Sequence, residues 1–267
     1  MRHKASIQLL LISLLMASGL LWVDQASGQA SANAAPSSKK KIETPLSYEG
    51  RLAVSVANEL YKQEKYTEAL KQADDAVRSD PKSGSAHLAR AFVLDKLGET
   101  RKASASFNKA IRLAPVNGYI RYAYANHLCR LQDYSAADEN FLLAARDGSY
   151  PYADSAYGSA AECAYQAEQF DASEAHARAA LAINRENSVA LVTLAKIMHK
   201  RTRYFEARAF IQRREAVGQL DVALLQLAHQ IEKSAGDDRA AASYQKQLDL
   251  ISQAQIQPPT GEGQKKP

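Results

Sequence analysis

The chain has 267 residues, 46% hydrophobic and 24% charged, with 34 basic against 29 acidic side chains and a formal net charge of +5. That excess is too small and too dispersed for a nucleic-acid surface, which needs clustered Lys and Arg. The two cysteines stand too far apart for a CxxC-type metal site.

The first 34 residues read as a secretory signal peptide. Arg2, His3 and Lys4 form a basic start, an apolar run extends from Ile7 to Val23, and Ala32-Asn33-Ala34 is the best of several small-residue cleavage candidates. The alternative is an uncleaved membrane anchor, although the run is interrupted by Ser13, Ser18 and Gly19 and is at the short limit for a span. Residues 35–49 read as a polar linker. Its Lys39–Lys41 cluster is either simply solvated or in touch with lipid phosphates.

A repeat occupies residues 50–254. Ala57, Ala91, Ala125, Ala161, Ala195 and Ala228 recur at steps of 34, 34, 36, 34 and 33 residues. Twelve residues later runs a second small-residue column of Ala69, Ala103, Ala137, Ser173, Ala207 and Ala240. One small residue on each of two helices lets their backbones cross closely, and a period near 34 with that pairing is the pattern of tetratricopeptide (TPR) repeats. The expected fold is all-α, a right-handed TPR superhelix of about six helix pairs, with units starting at Gly50, Gly84, Gly118, Asp154, Ser188 and Asp221.

Within each unit a tight turn joins a first helix (A) to a second (B). In the second unit Gly98 supplies the helix stop. Tyr66, Tyr134, Phe170 and Tyr204 follow the turn, and Phe107, Phe141, Ile211 and Tyr244 lie four residues after the second-column position, on the same helical face. Pro81 and Pro115 end the first two B helices. Core packing accounts for all of these. Arg214 replaces an alanine at the end of the fifth B helix, so looser packing is expected there, and Asp237 marks the sixth unit as a degenerate cap. Residues 255–267, rich in Pro and Gly, read as a disordered tail.

Cys129 and Cys163 fall on the A helices of the third and fourth units, at unit positions twelve and ten. The offset comes from a two-residue insertion around Ser149-Tyr150-Pro151-Tyr152. Two residues turn a helix by about 200°, so the thiols point in nearly opposite directions from their own axes. Parallel neighbours with axes about 8–10 Å apart can bring such residues within disulfide reach. A bridge between the units and two buried free thiols are the two readings.

No GxGxxG, P-loop, HExxH or GxSxG is present, and His3, His87, His127, His176, His199 and His229 form no i, i+4 pair. Neither an enzyme nor a bound cofactor or metal is expected. The expected activity is protein binding in a concave groove lined by the A helices, at Asn58, Tyr61, Lys62, Phe92, Lys96, Tyr119, Tyr122, Asn126, Arg130, Tyr165, Lys196 and Lys200. Asn58 and Asn126 share a column in which an amide can bond the backbone of an extended peptide. Lys62, Lys96, Arg130, Lys200 and Lys233 recur near A-helix C-termini, where they either complement the helix dipole or form a cationic stripe for a partner's acidic groups. Tyr119 and Tyr122 beside Arg130 make the third unit the expected hot spot.

The run from Ala125 to Tyr134 resembles a segment of the PilF/PilW family, the TPR proteins of type IV pilus biogenesis and stability. Tyr150-Pro151 followed by Ala160-Ala161-Glu162-Cys163-Ala164 resembles that family's Y-P insertion and second cysteine, and Gly236 to Tyr244 resembles its last unit. The resemblance covers roughly Gly50 to Ala254. It implies a periplasm-facing scaffold that helps the outer-membrane secretin assemble or stabilises the pilus, and it favours the Cys129–Cys163 bridge. One departure is plain: Met16-Ala17-Ser18-Gly19 is lipobox-like but is followed by Leu20, and no cysteine precedes Cys129. A soluble periplasmic or inner-membrane-tethered protein is therefore expected instead of a lipid-anchored one. The alternative is a periplasmic TPR chaperone or envelope scaffold serving cell-wall enzymes or outer-membrane assembly.

Overall fold

The structure is a computed structural model that describes residues 43–256, which form twelve α-helices and no strand. The expected signal peptide, residues 35–42 of the expected linker and residues 257–267 of the expected tail lie outside the described residues. The helices pair as the repeat predicts. The A helices are α1 (Tyr48–Lys62), α3 (Gly84–Lys96), α5 (Gly118–Arg130), α7 (Ala153–Gln166), α9 (Ser188–Lys200) and α11 (Val222–Ala235). The B helices are α2 (Tyr66–Ser79), α4 (Thr100–Leu113), α6 (Tyr134–Ala145), α8 (Phe170–Ile183), α10 (Tyr204–Val217) and α12 (Asp238–Ile256). Each A helix also contacts the next A helix, so the A helices form one continuous inner layer.

The small-residue columns sit where A and B cross. Ala57, Ala91, Ala125, Ala161 and Ala195 are at most 1% exposed, as are Ala69, Ala103, Ala137, Ser173 and Ala207. Ser173 adds a bond of its own, its hydroxyl donating to the Ala161 carbonyl at 2.7 Å across the crossing. Large residues fill the space between units: Phe107, Phe141, Ile120, Leu191, Leu194 and Ile231 are essentially buried.

The sixth unit departs from the expected register. The turn residue with positive φ is Glu64, Gly98, Gln132, Glu168, Thr202 and then Gly236, which makes the last step 34 residues. Asp221 is therefore the N-cap of α11, accepting from Leu224 N at 2.9 Å, and the helix begins at Val222. His229, not Ala228, occupies the crossing position. Opposite it stands the buried Ala241 in place of the partly exposed Ala240, with His229 Nδ1 3.0 Å from the Ala241 carbonyl oxygen. A larger side chain at the crossing is tolerable at a terminal pair, which has no following unit to pack against.

The ends differ from the expected boundaries too. Tyr48 and Glu49 belong to α1, with Ser47 as its N-cap, and α12 continues to Ile256. Around Arg214 the packing opens as expected. Ala76, Ala110, Ala144 and Ala180, its counterparts in the earlier units, are fully buried. Arg214 lines an open cleft of about 440 Å³ with Val189, Val192, Lys196 and Leu227, and a second of about 660 Å³ follows it in the chain among Val217, Leu220, Leu225 and Leu250.

Candidate partner-binding groove

The expected groove residues all lie on the A-helix layer, but their freedom to bind differs. Tyr119 is 49% and Phe92 40% exposed. Asn58, Lys62 and Lys96 are also exposed, while Tyr61, Tyr122, Asn126 and Tyr165 are half-buried. Burial, the largest cause, pushes the Tyr61 and Tyr165 phenols above the ordinary range, so both remain neutral hydroxyls near neutral pH. Tyr61 packs edge-on against Tyr66 at 5.4 Å and Tyr165 against Phe170 at 5.6 Å, so the aromatics after the turns brace the groove wall.

Several polar groups are already engaged inside the chain. Asn126 donates to the Tyr122 carbonyl at 2.9 Å on its own helix, which leaves one amide hydrogen and its carbonyl for a ligand. Arg130 pairs with Asp95 of the preceding unit. Lys196 reaches Glu162 at 3.2 Å and lies over the Tyr165 ring, and Lys200 lies over Phe170 at 5.8 Å. Lys233 meets Asp238 at 3.1 Å and Lys62 approaches Glu59 at 3.9 Å. The basic column is therefore largely compensated, with Lys96 its most open member.

The third unit concentrates aromatic surface. Tyr150, from the insertion before α7, is 5% exposed and sits on Gly118; a Cβ on that glycine would come within 2.5 Å of Tyr150 Cβ. Tyr119 stands edge-on to Tyr150 at 5.0 Å and to Tyr152 at 6.2 Å. Tyr122 joins them and holds Ser159 of α7 at 3.1 Å. Nearby, Cys129 and Cys163 are joined in a disulfide with Cα atoms 5.9 Å apart, linking α5 to α7.

Two arrangements had no sequence signal. Ser104 Oγ, His127 and Asp95 form a hydrogen-bonded line, with His127 Nε2 2.8 Å from Ser104 and Nδ1 2.8 Å from Asp95. The three residues come from three helices of two units, so no local spacing could announce them. His127 is 1% exposed and packs at a tilt against Phe107 at 4.8 Å, which makes the line an inter-unit fastening. The second is the segment before α1. Glu43 accepts from Ser85 N at 2.8 Å, from Ser85 Oγ at 2.6 Å and from Asn117 Nδ2 at 2.8 Å, so the end of the expected linker is bound to the second and third units.

Paired helices with small residues at every crossing and a positive-φ turn in each unit define a TPR solenoid protein. No protein-family model matches the chain. It is 25% identical over 173 residues to the type IV pilus assembly protein PilF of Pseudomonas aeruginosa, spanning 65% of this chain and 69% of that protein. The crystal structure of PilW, described as a widely conserved type IV pilus biogenesis factor, matches with a TM-score of 0.71 and 27% identity over 76% of this chain and 94% of that one. A shorter match, 32% over 114 residues, is to the Hsp70-Hsp90 organizing protein of Triticum aestivum, of which it spans 19%. The chain is thus a homologue of PilF with the architecture of PilW.

Proposed function

We propose that the chain is a non-catalytic, periplasmic adaptor of type IV pilus biogenesis that binds protein segments along its concave groove and serves secretin assembly or pilus stability. The observation that carries this reading is the PilF match, which extends over about two thirds of both chains. The exposed Tyr119, Phe92, Asn58 and Lys96 on one helix layer supply the aromatic and amide contacts that hot spots use. A disulfide suits an exported protein, because thiols stay reduced in the cytosol. Burial of His127 speaks against acid–base chemistry in its line with Ser104 and Asp95. Among the described residues no helix is long and apolar enough to cross a membrane.

The test is a deletion strain scored for surface pili and multimeric secretin, with the tagged protein fractionated alongside. Loss of pili or of secretin multimers, restored by the wild-type gene, is the expected outcome, with the protein in the periplasmic or inner-membrane fraction. Normal pili and secretin would overturn the pilus role. The match to a chaperone-organizing TPR protein would then favour a periplasmic chaperone or envelope scaffold for another complex.

A further inference from the structure

In the earlier units a buried alanine near the end of the B helix meets the next A helix: Ala76, Ala110 and Ala144 share core clusters with Ala86, Ile120 and Ala156. The fifth unit has Arg214 at that place, and a cleft of about 440 Å³ lies there between α9 and α11. Val189 and Val192 of α9 wall it on one side, and Leu224 and Leu227 of α11 on the other. Counted by the repeat, Val189, Val192 and Lys196 are the fifth-unit equivalents of Tyr119, Tyr122 and Asn126. The cleft is therefore in line with the groove, with aliphatic side chains where the third unit has tyrosines.

The charges around the cleft are unequally satisfied. Lys196 Nζ lies 3.2 Å from Glu162, and Asp221 caps α11 by accepting from Leu224 N at 2.9 Å. Arg214 has no carboxylate partner among the described residues: Nη1 donates to the Gly218 carbonyl at 3.0 Å, and Nε is buried without an acceptor. Nε and Nη2 form one edge of the guanidinium fork, on which a carboxylate makes two parallel bonds. Apolar walls with one uncompensated guanidinium fit a ligand that is aliphatic and singly acidic. Arg214 comes from a B helix, whereas the walls belong to the inner layer of A helices. The carboxyl group must therefore reach beyond the main chain of a bound segment. A glutamate side chain does so; a C-terminal carboxylate, fixed to the main chain, does not.

We propose that the cleft between α9 and α11 receives a glutamate flanked by aliphatic residues in a segment of a partner protein. Its carboxylate pairs with Arg214, and its aliphatic neighbours cover Val189, Val192, Leu224 and Leu227. The groove then has a second docking point, two units from the tyrosines of the third unit and selective for a different chemistry. The cleft belongs to the groove of the proposed function and rests on that reading, but its test needs no natural partner.

The full-length chain, labelled at its leucine and valine methyl groups, is titrated with the blocked peptide acetyl-Ser-Gly-Leu-Glu-Val-Gly-Ser-amide and followed by NMR. The methyl signals of Val189, Val192, Leu224 and Leu227 are expected to move. The peptide with glutamine in place of glutamate is expected to bind about three- to tenfold more weakly. In Arg214→Ala, which carries the residue the earlier units have at that place, the two peptides are expected to bind alike. Unmoved signals from those four residues at millimolar peptide, equal affinity of the wild-type chain for both peptides, or a glutamate preference that survives Arg214→Ala would each overturn the proposal while leaving the pilus reading standing. Normal pili and secretin on deletion would overturn the pilus reading and leave a measured glutamate preference intact.

Discussion

At the turn between A and B helices, four of the six units place a residue with a side chain in the left-handed region: Glu64, Gln132, Glu168 and Thr202, with φ between 58° and 62°. The other two use Gly98 and Gly236, for which that conformation carries no steric cost. Thr202 is the most strained, because a β-branched side chain there is a genuine outlier. It is also exposed, so its removal forfeits no packing. Left-handed backbone costs about 1–2 kcal/mol for an L residue, and glycine returns about 0.5–1 kcal/mol of that as chain entropy. Thr202→Gly should therefore stabilise the solenoid by up to about 1 kcal/mol, read as a rise of about 2–4 °C in Tm by circular dichroism; a fall would contradict the strain. Gly98 was legible in the sequence as a helix stop, but Thr202 was not, since nothing in its chemistry announces a positive φ.

At the scale of elements, the bond between α5 and α7 is one of the two readings that spacing left open for the cysteines, and the structure makes it. The two-residue insertion rotates Cys163 toward Cys129, and the same insertion buries Tyr150 against Gly118. Closing a loop with a sequence separation of 34 residues restricts the unfolded chain. Cys129→Ser with Cys163→Ser should lower stability by about 2–4 kcal/mol in urea denaturation, and reduction of the wild-type protein should reproduce the loss. Equal midpoints for the oxidised and reduced protein would contradict this. The insertion's aromatic contacts were not legible: Tyr150 read as a family mark, and only its place beside Tyr119 and Tyr122 shows that it builds the surface of the third unit.

Across the whole molecule, each unit is completed by its neighbours, so a perturbation in one unit is felt as a loss of the array's stability. Two histidines in separate units couple the array to pH. Burial is the main cause holding His87 in the second unit and His199 in the fifth below the ordinary imidazole range, and near His87 the cations Lys109, Arg90 and Arg112 add to it. The unfolded chain then binds more protons than the folded one below about pH 6.5, so stability is complete above that value and falls as pH drops through it. Thermal midpoints measured from pH 7.5 down to 5 should decline, and less so in His87→Gln. A flat profile would exclude the coupling.

The sequence by itself determined the repeat, the helix pairs and the crossing residues of the first five units, because a period near 34 and a small residue at each crossing are local in the chain and admit one stacked solution. It also located the loose packing at Arg214, since an arginine cannot occupy the space of a buried alanine. The tertiary structure alone decided which groove residues stay open. Arg130 and Lys196 find partners inside the chain, while Tyr119 and Lys96 face outward, and that division depends on neighbours contributed by other units. The fastening through His127 and the anchoring of Glu43 have the same origin. Each is made by residues distant in sequence whose juxtaposition exists only once the units have stacked.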